Sequence, residues 1–283
     1  MIIGPILASI RSFERYGVSV YSSKLADRLQ CQMKTTGINI ADECGLILQE
    51  NSSDGAVELA WGAKSGVREV PFRIDFNSIA SKQRSKMSKS ELVSKAMGSK
   101  TSNVIDMTAG LGRDSFILAS SGFNVYLLER NPVIFYLLHD AIDRLRITDP
   151  ILAGRMNLVE KDSKELLSAE DLGIVLKEAE TVAVYLDPMY EGNVVGKRSS
   201  VKKETAMLHR IVNSSPDDDV DNSKLLFDAA KRLSNSRIIV KRSVRADALA
   251  NTIPHEVLEG STQRFDIYFK NRKILDSSQT VVA

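Results

Sequence analysis

From Asn103 onward the chain alternates short, continuously apolar runs with stretches of helical spacing, and this alternation restricts the fold more than any other feature. Val104–Met107, Val125–Leu128, Met156–Val159, Val182–Leu186, Arg237–Val240 and Phe265–Phe269 read as strands. Strands this apolar are covered on both faces, the signature of a parallel sheet under helices. Asn131-Pro132 opens a helix, with Asn as the N-cap and Pro at the first helical position. Ile134, Leu137, Leu138, Ala141, Ile142 and Leu145 then recur at helical spacing and predict a face turned to the sheet. Leu225–Leu233 reads as a further helix. The expected architecture is α/β: a doubly wound, mostly parallel sheet with helices on both sides.

The region before it has a different character. Leu46–Gln49, Ala56–Trp61 and Val70–Phe76 predict three strands, the first two joined across Asn51-Ser52-Ser53-Asp54-Gly55. This suggests a small N-terminal α+β domain over residues 1–76 and a larger domain over 77–283. The first ten residues are apolar, but Arg11, Glu14 and Arg15 follow them, the reverse of a signal peptide's polarity. No run approaches the length of a membrane span. A cytoplasmic protein with no membrane partner is expected. Cys31 and Cys44 are too few for a disulfide scaffold, and with His139, His209 and His255 they make no paired-ligand spacing, so no metal is expected.

The first chemical motif follows the first strand: Asp106-Met107-Thr108-Ala109-Gly110-Leu111-Gly112-Arg113-Asp114. Glycines at 110 and 112 let the backbone turn sharply and approach a ligand, and the next helix presents unpaired N–H groups at its start. That suits a nucleotide-like cofactor at the carboxyl end of the strand. The third fingerprint position holds Ser115 instead of Gly, which argues against a dinucleotide. Glu129 ends the next strand, 17 residues after Gly112, where a carboxylate accepts both hydroxyls of a ribose. Asp162-Ser163 stands where adenine recognition falls in such a sheet.

Asp187-Pro188-Met189-Tyr190 follows the Val182–Leu186 strand and resembles the Asp/Asn-Pro-Pro-Tyr/Phe motif of amino-group methyltransferases. An amino group conjugated to a base is a poor nucleophile. The Asp187 carboxylate and the Pro188 carbonyl can accept its two protons and hold the nitrogen for in-line attack. Tyr190 can stack on the base. Overall charge is only +2, so any basic surface comes from clustering. Lys197, Arg198, Lys202 and Lys203 follow the motif, and Lys241, Arg242 and Arg245 follow a later strand. Between Ser81 and Lys100, six cations oppose Glu91 alone. Clusters on the site's edge would meet phosphates.

Asp106–Asp114 (DMTAGLGRD), Leu128–Pro132 (LERNP), Tyr185–Tyr190 (YLDPMY), Val201–Glu204 (VKKE), Val240–Arg242 (VKR) and Arg264–Tyr268 (RFDIY) together resemble the RsmJ family, bacterial small-subunit ribosomal RNA guanine-N2 methyltransferases. The likeness runs in order through the larger domain; the N-terminal residues match poorly. It implies a Rossmann-like class I methyltransferase fold, S-adenosylmethionine as donor, and small-subunit ribosomal RNA or the assembling subunit as partner. No obligate protein partner is implied. Carried over by motif, the donor contacts would be Arg113, Asp114, Glu129, Arg130, Asp162, Ser163 and Asp187, beside Asp106, Gly110 and Gly112 of the loop. Catalysis would fall to Asp187, Pro188 and Tyr190, and RNA binding to Lys197, Arg198, Lys202, Lys203, Lys241 and Arg242. Asp162 stands where the family pattern has Ser, and Tyr190 where relatives often have Phe. The residues alone also admit DNA adenine or a protein side chain as the acceptor. A nicotinamide-dependent oxidoreductase is disfavoured by Ser115, and a cofactor-free RNA-binding module by the lack of aromatics among the basic residues.

Overall fold

A strand buried on both faces has to be sandwiched, and the computed structural model shows how that is met. It describes residues 18–20, 45–51, 53–62, 71–166, 168–174, 181–188, 222–272 and 274–276. Their folding divides the chain into two compact units. The first draws on Met1–Asp75 and Asn131–Arg144; the second on Phe76–Arg130, Leu145–Asn193 and Asp218–Ala283.

In the first unit β1 (Val18–Val20) pairs in parallel with β2 (Gly45–Glu50), which forms an antiparallel hairpin with β3 (Val57–Gly62). The expected third strand over Val70–Phe76 does not form within the described residues. Phe72 makes one bridge to Leu59, because Pro71 beside it has no N–H to extend a ladder. The unit also holds most of the helix opened by Asn131, whose Oδ1 accepts from the N–H groups of Val133 and Ile134 at 3.0 and 3.3 Å. Asp140 on that helix accepts from the backbone N–H of Val57 at 3.1 Å and from Arg144 at 2.8 Å. Arg144 in turn donates to the carbonyl of Ile74.

The second unit is built on a seven-stranded sheet. In chain order its elements are α1 (Ile79–Lys86), α2 (Leu92–Met97), β4 (Asn103–Asp106), α3 (Arg113–Ser120), β5 (Asn124–Glu129), α5 (Pro150–Ala153), β6 (Met156–Glu160) and β7 (Val182–Leu186); α4 (Pro132–Thr148), which follows β5 in the chain, belongs mostly to the first unit. Then follow α6 (Asn222–Leu233), β8 (Arg237–Ser243), β9 (Thr252–Ile253), β10 (Glu256–Glu259) and β11 (Gln263–Phe269). The sheet order is β10-β11-β8-β7-β4-β5-β6. The central pairs β8-β7, β7-β4, β4-β5 and β5-β6 are parallel, and β11 and β10 add an antiparallel edge. β10 has no sequence signal, since Glu256 and Glu259 flank an exposed stretch; pairing with β11 makes it a strand.

Alternate strand residues face opposite sides. Ile105, Val182, Val184, Leu186, Ile238 and Val240 join Phe227, Ala230 and Leu233 of α6 in one core. On the opposite side α3 lies along β5, with Phe116 stacked on Phe76 at 4.8 Å. The chain runs out from β4 in two directions, to β5 and to β7, so a crevice opens at their carboxyl ends. Asp106, Glu129, Asp162 and Asp187 stand at or just past those ends. No helix of the described residues is long and apolar enough to cross a membrane.

Candidate active site

β4 delivers Asp106 to the crevice almost wholly buried. Its two oxygens are engaged: Oδ2 accepts from the Ser115 hydroxyl at 2.6 Å and Oδ1 from the Thr108 N–H at 3.1 Å. Burial pushes its carboxyl up to about 7 from an ordinary value of 3.8, against the pull of both donors. The loop then turns through two left-handed glycines, Gly110 (φ +51) and Gly112 (φ +67), the second of which starts α3. A Cβ at Gly110 would meet nothing nearer than the Thr108 carbonyl at 3.8 Å, so the loop faces open space there. Two backbone donors stitch it to β5: Ala109 N–H to the Leu128 carbonyl at 3.1 Å, and Gly110 N–H to Glu129 Oε2 at 3.0 Å.

The next carboxylates stand at the ends of β5, β6 and β7. Arg130 lies 3.7 Å from Asp162, which accepts the Lys164 N–H at 3.0 Å and caps a short turn carrying the buried Ser163. Asp187 follows β7, with its backbone N–H donating to Thr108 Oγ1 at 2.7 Å, a contact that ties the Asp-Pro segment to the glycine loop. Asp187 keeps 42% of its side chain exposed to the crevice, beside the half-buried Pro188.

A charge network joins the two motifs. Lys241 Nζ lies 2.7 Å from Asp114 Oδ2 and 2.8 Å from Asp187 Oδ2. Tyr185 donates its hydroxyl to Asp114 at 2.7 Å, and Arg84 reaches the other Asp114 oxygen at 3.2 Å while holding Glu91 at 2.9 Å. Burial alone would raise the Asp114 carboxyl, but Lys241 and Tyr185 outweigh it and hold it below the ordinary value. Asp187 has weaker support: burial raises its pKa and Lys241 offsets only part of that. Burial opposes the Lys241 charge, yet the two carboxylates leave its pKa above the ordinary lysine value. Tyr185 is pushed well up, first by burial and then by the neighbouring carboxylates.

The structure therefore gathers Asp106, Gly110, Gly112, Asp114, Glu129, Asp162, Ser163, Asp187 and Pro188 along the carboxyl ends of β4 to β7, with Arg113 exposed on the first turn of α3 and Arg130 just past β5. Tyr190, Lys197, Arg198, Lys202 and Lys203 lie outside the described residues. Lys241 and Arg242 differ from the expectation of paired phosphate contacts. Consecutive residues of β8 face opposite sides. Lys241 turns to Asp114 and Asp187, whereas Arg242 is 6% exposed and donates through Nε to the Asp247 carbonyl at 2.7 Å. Nearby, Arg264 of the RFDIY motif pairs with the fully buried Asp266 at 2.8 Å. Sequence reasoning missed Thr108, Arg84 and Tyr185. Thr108 sits inside the glycine motif, and the signal available was a hydroxyl side chain next to the left-handed turn at Gly110 and Gly112.

A protein-family model described as SAM-dependent methyltransferase matches residues 31–270. The match begins well before the motif-rich region, so the N-terminal likeness extends further than the motifs suggest. The ribosomal RNA small subunit methyltransferase J of Pseudomonas aeruginosa is 36% identical over 265 residues, covering 90% of this chain and 95% of the relative. Its namesake in Alteromonas mediterranea is 34% identical over 223 residues, covering 76% and 80%. Among solved structures, a SAM-dependent methyltransferase from Neisseria gonorrhoeae matches with a TM-score of 0.64 and 26% identity, over 90% of this chain and 96% of that one.

Proposed function

The chain belongs to the RsmJ family of SAM-dependent methyltransferases, and from that premise we propose that it methylates the exocyclic N2 of a guanine in 16S small-subunit ribosomal RNA. The observation that carries the reading is the pairing of a left-handed glycine loop, open at Gly110, with an Asp-Pro segment bonded to it through Thr108. A donor held at the loop and an amine held at Asp187 would then be neighbours.

The residues suit S-adenosylmethionine. Gly110 leaves open the volume that a side chain would fill, and the carboxylates Glu129 and Asp162 stand at or just past the ends of β5 and β6 as acceptors for hydroxyl and amino donors. We assign Asp106, Gly110, Gly112, Arg113, Asp114, Glu129, Arg130, Asp162, Ser163 and Asp187 to that binding. When bound, the donor supplies a methyl group on a positively charged sulfur, a good electrophile with a neutral leaving group. The protein's work is then to hold and desolvate the amine. Asp187 and the Pro188 carbonyl accept its two N–H groups, which turns the nitrogen lone pair out of conjugation and toward the methyl. As the N–C bond forms and the S–C bond breaks, the nitrogen becomes acidic and gives one proton to water, so a strong base is not required. We assign to Tyr190 the stacking on the base that its aromatic ring allows, and the guanine enters unpaired. On this reading the protein works in the cytoplasm, on RNA or an assembling subunit, with the larger domain carrying the chemistry.

Incubation with labelled donor and, in parallel, small-subunit RNA, small subunits, DNA and protein tests the substrate class. Label in N2-methylguanosine after RNA digestion is expected; label only in DNA adenine or protein would overturn it. Asp187→Ala should slow single-turnover transfer by about two to three orders of magnitude, the scale of losing one oriented acceptor. Asp187→Asn should be milder because its amide oxygen still accepts. An Asn variant as slow as Ala that still binds donor and RNA would rule out the acceptor role.

A further inference from the structure

We propose that Lys241 is the positioning residue of the methyl-transfer site: by holding Oδ2 of Asp187 it directs Oδ1 toward the acceptor amine. The inference rests on the methyl-transfer reading above and extends it to a residue outside both motifs.

The sheet register sets up the contact. β7 and β8 run in parallel with Leu186 beside Val240, so Asp187 and Lys241 leave neighbouring strands at the same level. The Lys241 side chain is 20% exposed and its ammonium sits between two carboxylates, Asp114 at 2.7 Å and Asp187 at 2.8 Å. Asp114 is itself held from two further sides, by the Tyr185 hydroxyl and by Arg84. Its position is therefore set before Lys241 meets it, and Lys241 is anchored at one end while it grips Asp187 at the other. A carboxylate on a free rotamer would present either oxygen. Here Oδ2 is taken, and Oδ1 has no hydrogen bond among the described residues. The backbone of Asp187 is fixed separately, through Thr108. Holding a reacting group in one orientation is worth a large share of a rate.

Lys241 also separates two like charges. Asp187 faces Lys241 and, across it, Asp114; it also acts on the buried Asp106 and on Tyr185, and Arg84 stands behind Asp114. With the ammonium removed, two carboxylates share one crevice, and one of them takes up a proton at higher pH.

The test is single-turnover methylation of RNA, with donor and RNA saturating, across pH for Lys241→Met and Lys241→Arg in the wild-type and Asp187→Asn backgrounds. Lys241→Met should slow transfer about ten- to hundred-fold at neutral pH. Its acidic limb should move to higher pH, so that part of the rate returns in alkali. RNA affinity and its salt dependence should stay as they are. In the Asp187→Asn background the same change should cost little more, because residues acting through one another are non-additive. If Lys241→Met does not fold, Lys241→Arg makes the same comparison: a loss with Asp187 present and none in the Asp187→Asn background supports the proposal, and equal losses overturn it. An unchanged rate and limb with weaker RNA binding and a shallower salt slope would make Lys241 a phosphate ligand instead. Failure of the unmodified protein to label RNA would count against the proposed function, independently of Lys241.

Discussion

Ser115 occupies the position where a dinucleotide fingerprint carries glycine, and the structure shows what it does there. Its hydroxyl binds Asp106 at 2.6 Å inside the protein, so strand β4 and helix α3 are joined by a polar contact where the fingerprint has close backbone packing. The cost of burying that carboxyl appears in its pKa of about 7 against an ordinary 3.8. Between those values the folded chain holds a proton that the unfolded chain has released. Stability therefore falls as pH rises through this window and stays lower above it. Asp106→Asn removes the titration while its amide still pairs with Thr108 and Ser115. Thermal melts at pH about 5 and about 8 should show the variant losing less stability than the wild type across that interval. Identical losses would mean that Asp106 is ionised throughout.

At the level of elements, the β4-loop-α3 unit depends on backbone shape more than on side chains. Gly110 and Gly112 both adopt left-handed angles, which a side-chain-bearing residue reaches only at a cost of about 1–2 kcal/mol. Valine at 110 would carry that cost and also fill the open volume beside the loop. Gly110→Val should lower the melting temperature modestly and weaken S-adenosylmethionine binding by at least about tenfold, as read by calorimetry on the folded fraction. Native donor affinity in a folded Gly110→Val protein would remove the loop from the donor site. Helix α4 is shaped by packing instead. The six apolar residues expected on one face are buried, but so are Val133, Phe135 and Tyr136 around the first turns. Burial stops at the last turn, where Arg146, Ile147 and Thr148 are exposed. In the first unit its Asp140 and Arg144 meet Val57 and Ile74.

Over the whole molecule a net charge of +2 conceals strong local clustering. Of the cations between Ser81 and Lys100, Arg84 turns inward to Glu91 and Asp114. Lys82, Lys86, Lys89, Lys95 and Lys100 are exposed and make no ion pair with the described residues. That leaves five exposed, unpaired cations among the described residues of the unit that carries the candidate site, and on the proposed function they would meet RNA phosphates. Replacing Lys82, Lys86 and Lys89 by Ala should weaken RNA binding and lower its salt slope by about two, since each phosphate contact contributes about 0.7–0.9 to the slope. Donor affinity should not change. An unaltered slope in filter-binding titrations would assign these lysines to solvent alone.

Periodicity and local chemistry were enough to read the parallel core, the glycine loop, the carboxylates at the strand ends and the Asp-Pro motif. Each of these is written within a few residues: apolar runs make buried strands, glycines allow the left-handed turn, and Asn131-Pro132 starts its helix wherever it lies. The tertiary structure alone decided which groups meet. Lys241 finds Asp114 across 127 residues and Asp187 across 54. Val57 finds Asp140 across 83, and β10 becomes a strand only because β11 offers it a partner. It also split Lys241 from Arg242, neighbours that read as one basic cluster, because a strand turns successive side chains to opposite faces. Local pattern specifies which way a side chain points from its own element; the order of strands in the sheet specifies what it then meets.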